Sequence, residues 1–189
     1  MQEIWILIIH QLIFQGMFVA KNIILRKKIK KQIRGKNREA TLSILFFTFF
    51  ILVSIGISTF TKPLGQVQLI DSPLSVVFAL IILFLNFIVS GASLIDLKDS
   101  WRVGVLEDQK TELITSGIYK YTRNPYFISY LLMFIGYTIL LQNMILLGLS
   151  IIGFLFIHKM IKKEEKYLYS VHGNAYLEYK MKVPRYIII

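Results

Sequence analysis

The sequence predicts an all-α integral membrane protein with about five spanning helices and a small polar region at one face. Three observations carry this reading. Of the 189 residues, 55% are apolar and 17% charged. The mean hydropathy is +0.60. The apolar residues are gathered into long blocks separated by basic segments, whereas a soluble domain of this length disperses them in short runs. The composition excludes disorder, and the absence of cysteine excludes a disulfide scaffold and a zinc–cysteine site. A net charge of +11 would suit a nucleic-acid binder if it sat on a compact polar domain. Here it flanks apolar blocks, so membrane orientation accounts for it and no nucleic-acid partner is expected.

Residues 4–20 (extendable to 25 if Lys21 snorkels), 42–60 and 74–95 are each near the roughly 20 residues that cross about 30 Å of hydrocarbon. These are expected as three spanning helices. A fourth apolar region, 127–157, is broken by Gln142-Asn143 into two arms of about 15 residues. It reads as a helical hairpin whose short arms are extended by flanking polar residues or cross a locally thin bilayer. Of the 22 Lys and Arg, 21 fall in residues 21–38, 96–123 and 159–189, and the exception is Lys62. The positive-inside rule therefore places the N-terminus outside and the C-terminus in the cytoplasm. The first block is not a cleavable signal, because Glu3 precedes it and the basic cluster follows it.

Within residues 21–38, Leu25, Ile29 and Ile33 form one apolar stripe among Lys and Arg. The run reads as a solvated helical extension that signals topology, or as an interfacial helix that gathers anionic lipid. No repeat, low-complexity tract or linker divides the chain. It is expected as a single domain over 1–189, with three spanning helices in 1–95 and a motif-bearing region in 96–189 that contains the hairpin.

Chemistry is expected in the two polar stretches that flank the hairpin. In the first, Pro125 biases Asn124 away from helix and suits the first turn of the helix that follows, which makes Asn124 the expected N-cap. Arg123 beside it carries a fork of five donors that suits a carboxylate or phosphate, or else snorkels to headgroups. In the second stretch, Glu164-Glu165 at the membrane edge must be solvated, paired or facing a cationic ligand, and Lys162, Lys163 and Lys166 offer ordinary helix ion pairs. Tyr167, Tyr169, Tyr176 and Tyr179 form either an interfacial belt or a cage for a cation. His10, His158 and His172 have no ligand spacing. His10 reads as a satisfied polar residue of the first helix, and the other two read as interfacial.

Leu113-Ile114-Thr115-Ser116-Gly117-Ile118-Tyr119, then Arg123-Asn124-Pro125-Tyr126-Phe127, a hydrophobic hairpin, Glu164-Glu165 and a Gly173…Tyr176…Tyr179…Val183-Pro184 tail occur in this order. Over residues 100–186 the chain resembles the isoprenylcysteine carboxyl methyltransferase and phospholipid methyltransferase superfamily of membrane enzymes, and Ser100-Trp101-Arg102 resembles a string of its bacterial members. The resemblance implies an S-adenosyl-L-methionine cofactor, a lipophilic or lipid acceptor that enters from the bilayer, and no metal. Carried over by position, it implies that Thr111, Glu112, Leu113, Ile114, Gly117, Tyr119, Asn124, Pro125, Tyr126 and Phe127 line the cofactor. The resemblance likewise implies that Glu164 and Glu165 contact it and that turnover depends on Arg123 and Glu164.

Two departures matter. The family pattern is Arg-His-Pro-x-Tyr or Phe, and Asn124 replaces the His, so that position cannot act as acid or base. One helical turn before the first Glu, the carboxyl methyltransferases carry a substrate-facing Arg, and Met160 stands there. A carboxylate acceptor then needs another cation, such as Lys159 or Lys163, which points away from prenylcysteine itself.

The function expected is methyl transfer to a carboxyl, hydroxyl or amine group at the cytoplasmic face of a bacterial or archaeal membrane. The competing classes are an NADPH-dependent steroid reductase-like enzyme and a non-catalytic membrane scaffold. No GxGxxG or P-loop supports a Rossmann-type site. No span carries a strong small-xxx-small face that would specify an oligomer.

Overall fold

The computed structural model describes residues 2–30, 33, 38–60, 63–103 and 111–186. Among these the fold is all-α: α1 Gln2–Ile29, α2 Arg38–Thr59, α3 Ser72–Asp96, α4 Pro125–Leu141, α5 Met144–His172 and α6 Asn174–Lys182, with short 3₁₀ turns at Lys98–Ser100 and Gly117–Lys120. Four helices are long and apolar enough to cross a membrane: α1 from Glu3, α2 from Thr41, α3 and α5. The fifth apolar helix, α4, has 17 residues. At 1.5 Å per residue it is about 25 Å long, slightly less than the hydrocarbon core. The protein is an integral membrane protein. Exposed Trp5, Leu12, Leu52, Phe84 and Leu155 form the kind of surface that lipid covers.

The expected hairpin turns at Gln142-Asn143, but its arms are unequal, because α5 continues without interruption through the charged segment to His172. The turn is set by polar chemistry. Gln142 adopts a left-handed conformation, and the Asn143 side chain caps α5 by accepting from the N–H groups of Ile145 and Leu146. Both side chains also bind the connection between α2 and α3. Gln142 Oε1 accepts from the N–H groups of Leu69 and Ile70, and Asn143 Nδ2 donates to the Leu64 carbonyl, each at 2.9 Å. Two buried-prone polar residues are thereby satisfied, and the hairpin tip is tied to its neighbour. Lys62 of that connection lies outside the described residues.

The core runs along the bundle through Leu7 and Phe14 of α1, Phe50 of α2, Leu83 of α3, Phe134 of α4 and Ile157 of α5. α4 packs most extensively on α3. At Gly136 the two come so close that an added Cβ would stand 2.6 Å from the Leu83 side chain.

One neutral polar cluster is buried in this bundle. His10 Nε2 donates to Asn86 Oδ1 at 3.1 Å, and the Tyr137 hydroxyl reaches His10 Nδ1 at 2.9 Å. Asn86 Nδ2 donates to the Ser129 carbonyl at 2.6 Å. A neutral imidazole carrying its proton on Nε2 satisfies every bond of the cluster.

A second core gathers Leu25, Ile33, Leu94, Trp101 and Tyr126. The stripe expected to face solvent or lipid is thus turned inward: Leu25 and Ile33 are buried against the segment after α3, and the Ile33 carbonyl accepts from the Val103 N–H. The expected helical stripe is not formed beyond Ile29, where α1 ends and Lys30 turns left-handed with φ +52, and the bend lets Ile33 bury apolar area against protein. Residues 31–32 and 34–37 of the basic run lie outside the described residues.

The candidate functional site

The ends of α1, α3 and α5 and the starts of α2 and α4 meet at one end of the bundle, which joins distant motifs. Asp96, the last residue of α3, accepts the Ile118 N–H at 2.7 Å and lies under Gly117. Gly117 has φ +61, and a Cβ there would come within 2.0 Å of the Asp96 carboxylate, so only glycine permits this contact. The turn presents Tyr119, whose carbonyl accepts the Tyr179 hydroxyl of α6 at 2.7 Å. Burial and the nearby Glu164 charge push the Tyr119 phenol well above its ordinary value, and it stays protonated.

The next layer is an ionic clamp. Arg123 Nη2 bonds Glu165 Oε1 at 2.8 Å, and Arg185 Nη2 bonds Glu165 Oε2 at 2.7 Å. Arg123 also donates to the carbonyls of Lys180, at 3.2 Å, and Val183. The strap of residues 183–186 is held across the start of α4 by three further bonds. The Pro184 carbonyl accepts the Arg123 N–H at 3.0 Å, and the Arg185 carbonyl accepts from Thr122 Oγ1 at 2.9 Å and Asn124 Nδ2 at 3.2 Å. Asn124 therefore stands at the N-cap position without a side-chain cap bond, and its Nδ2 instead donates to the strap. The carboxylate that takes the Arg123 fork is the chain's own Glu165.

Glu164 differs from its neighbour. It makes no hydrogen bond or ion pair among the described residues, and it lines a cavity between the motif segments and the membrane helices. One part of the wall comes from Thr111, Glu112, Leu113, Ile114, Tyr119, Asn124 and Glu164. The other is aromatic and apolar, with Phe18 of α1, Phe47 of α2, Tyr126, Phe127 and Tyr130 of α4, and Met160 of α5. Met160 accepts a bond from the Ser43 hydroxyl through its sulfur, at 2.7 Å. Arg123, Arg102 and Lys163 also reach the wall.

Eleven of the residues singled out in the sequence as lining the cofactor, catalytic or acceptor-binding therefore share one cavity, Arg123, Tyr126 and Lys163 among them, whereas Gly117, Pro125, Glu165 and Lys159 stand outside its lining. Gly117 and Glu165 support the lining from behind, Pro125 opens α4, and Lys159 is exposed.

The tyrosines of the tail are neither a belt nor a cage as a group. Tyr176 and Tyr179 are buried with Val183, Tyr169 is exposed, and Tyr167 lines the cavity. Their spacing on α6 turns two rings toward α5 and the Leu113 segment, where protein covers them. His158 meets the Tyr186 hydroxyl at 3.0 Å, away from the cavity wall.

Sequence reasoning missed Asp96, the Arg185–Glu165 pair, and Phe18 and Phe47. A carboxylate ending an apolar span was a signal for Asp96. Nothing local marks two phenylalanines among many in spanning helices as cavity residues.

The phospholipid methyltransferase family matches residues 74–175, more than half of the chain. Relatives include the protein-S-isoprenylcysteine O-methyltransferase of Xenopus laevis, 34% identical over 84 residues (42% of this chain and 29% of the relative). The protein of the same name from Schizosaccharomyces pombe is 37% identical over 73 residues, 38% of this chain and 31% of the relative. Protein-S-isoprenylcysteine O-methyltransferase B of Arabidopsis thaliana is 28% identical over 83 residues, 43% of this chain and 42% of the relative. The matched stretch spans less than half the length of each of these relatives. The match covers all but the first residues of α3, the segment before α4 and the α4–α5 hairpin, which build most of the cavity wall, and the chain belongs to the phospholipid methyltransferase family.

Proposed function

We propose that the protein transfers a methyl group from S-adenosylmethionine to a lipophilic carboxylate at the cytoplasmic face of its membrane. The observation that carries the reading is the division of labour between the adjacent acids: Glu165 is neutralised by two arginines, while Glu164 faces the cavity without a bond among the described residues. An uncommitted carboxylate beside aromatic rings suits a group that bears a sulfonium and an ammonium. The cofactor supplies, when bound, a methyl group on a positively charged sulfur. Glu164 and the Thr111, Leu113 and Tyr119 wall would hold it, with Arg123 and Glu165 fixing the wall through the strap. The chain's own contribution is positioning and exclusion of water.

One departure, Asn124, favours a carboxylate over an amine, while the other, Met160, leaves a carboxylate in need of another cation. Asn124 cannot take a proton, and a carboxylate at neutral pH has none to give up. Met160 offers no cation, and Lys163, which reaches the cavity as Lys159 does not, is the nearer choice of partner. The relatives' names, which carry an isoprenylcysteine and O-methyl transfer, support an apolar oxygen acceptor of this kind. The aromatic wall from α1, α2 and α4 supports an acceptor that arrives from the bilayer.

The test is calorimetric binding of S-adenosylmethionine, and separately NADPH, to the purified protein, with Glu164→Gln as control. Binding of the sulfonium compound alone, weakened at least tenfold in the variant, is expected. Binding of NADPH alone would replace this reading with the reductase, and binding of neither with the scaffold.

A further inference from the structure

Arg185 grips two sides of the candidate site without lining the cavity. Its side chain holds α5: Nε donates to Glu165 Oε1 at 3.0 Å and Nη2 to Glu165 Oε2 at 2.7 Å, the two-pronged geometry in which a guanidinium holds a carboxylate best. Its main chain holds the segment before α4, because its carbonyl accepts from Thr122 Oγ1 at 2.9 Å and from Asn124 Nδ2 at 3.2 Å. Arg123, which precedes Asn124, donates from Nη2 to Glu165 Oε1 at 2.8 Å and so closes a ring.

The ring stands where the packing of the hairpin runs out. α4 rises about 25 Å from the turn and Glu165 stands about 32 Å along α5, so the two acids lie about one helical turn beyond the level of Pro125. There the cavity wall is shared between elements, with Glu164 from α5 and Asn124 from the segment before α4. Glu164 adjoins Glu165 in the chain, and Asn124 is bound by the Arg185 carbonyl directly. A lone Arg123–Glu165 pair can swing on two long side chains, whereas a closed ring with a bidentate leg cannot move without breaking several bonds. The Arg185 side chain is 30% exposed, against 7% for Arg123, and Glu165 keeps Arg123 when Arg185 is replaced, so no buried charge is stranded.

We propose that Arg185 is a positioning residue for the cofactor: by closing this ring it fixes the spacing between Glu164 and Asn124 across the cavity wall. The assignment rests on the methyl-transfer reading. A ligand held between two elements binds tightly only where their spacing is set before it arrives, and a small misplacement of a wall weakens every contact made across it. Arg185 exerts this effect through Glu165 and Asn124, and it touches neither cofactor nor acceptor.

The test uses purified protein in nanodiscs, calorimetry with S-adenosylhomocysteine as the probe, and hydrogen exchange of the Arg123 amide, whose N–H donates to the Pro184 carbonyl at 3.0 Å. In Arg185→Gln the probe should bind about tenfold more weakly and the Arg123 amide should exchange faster, while the amides of α3 and α4 keep their protection. Arg185→Lys, which keeps the charge and one prong, should recover part of the affinity. Saturating probe should slow exchange at Arg123 in the wild-type protein, because ring and site then stabilise each other. Unchanged probe affinity in Arg185→Gln overturns the assignment. So does loss of protection throughout α3 and α4, which would make Arg185 a residue of the fold alone. Failure of the wild-type protein to bind the probe overturns the methyl-transfer reading and the positioning role with it, whereas wild-type binding that is unweakened in Arg185→Gln overturns the positioning role only.

Discussion

Two buried polar clusters hold this bundle together, and they are built differently. The cluster within the bundle, His10, Asn86 and Tyr137, is neutral and joins α1, α3 and α4 by shared hydrogen bonds. The cluster at the motif-bearing end, Arg123, Glu165 and Arg185, is ionic and joins the segment before α4, α5 and the strap. Ions at bilayer depth lose too much hydration to be used merely as fasteners, whereas at the edge water reaches part of the cluster, as the 30% exposure of the Arg185 side chain shows. The comparison teaches that polar satisfaction in this protein is graded by depth, and that of the two adjacent acids it is Glu164, at the cavity, that is left without a bond among the described residues.

Removing one partner from each cluster tests that grading. The largest effect is expected for Glu165→Ala, which leaves Arg123, with a side chain only 7% exposed, without its counter-charge. Loss of about 3–5 kcal/mol of stability in a detergent denaturation series is expected. Cofactor affinity should fall with it, since the strap and the start of α4 are released. His10→Phe comes next. It strands Asn86 Oδ1 and the bond to Tyr137 without introducing a charge, so the same assay should read about 1–3 kcal/mol. If His10→Phe proved the more damaging of the two, the grading by depth would be reversed.

Glu164→Gln sharpens the contrast between neighbours. Stability should stay within about 0.5 kcal/mol, because no bond to a described residue is lost, while calorimetry should show cofactor affinity falling at least tenfold. A stability loss comparable to that of Glu165→Ala would mean that Glu164 serves the fold. The smallest effect is expected for Lys27→Ala, an exposed residue near the Lys28–Asp99 surface pair. Neither stability nor cofactor affinity should change measurably.

Much of the bundle was legible in the sequence. The three first spans, the turn at Gln142-Asn143 and the opening of α4 at Pro125 are local matters of hydropathy, turn chemistry and backbone restriction. The fate of the Leu25–Ile33 stripe was not, because a four-residue apolar spacing looks the same whether lipid, water or Trp101 covers it. Nor was that of Tyr176 and Tyr179, since an aromatic ring at a membrane edge is equally at home in headgroups or under a covering segment. The motif order located the cavity's polar wall and named Arg123 beside it. It did not say that the carboxylate for the Arg123 fork would be internal.

By itself the sequence determined the class of protein, the antiparallel passes and the segments that carry chemistry, because each depends on what a residue does in its own local surroundings. The tertiary structure decided which of two adjacent acids is committed and which faces the cavity. Consecutive residues on a helix point about 100° apart, so Glu164 and Glu165 look alike in a string of letters and meet different partners in space. Only the return of Arg185 and of the segment before α4 to the same turn of α5 separates them, and contacts across 20 and 42 positions of chain carry no local mark.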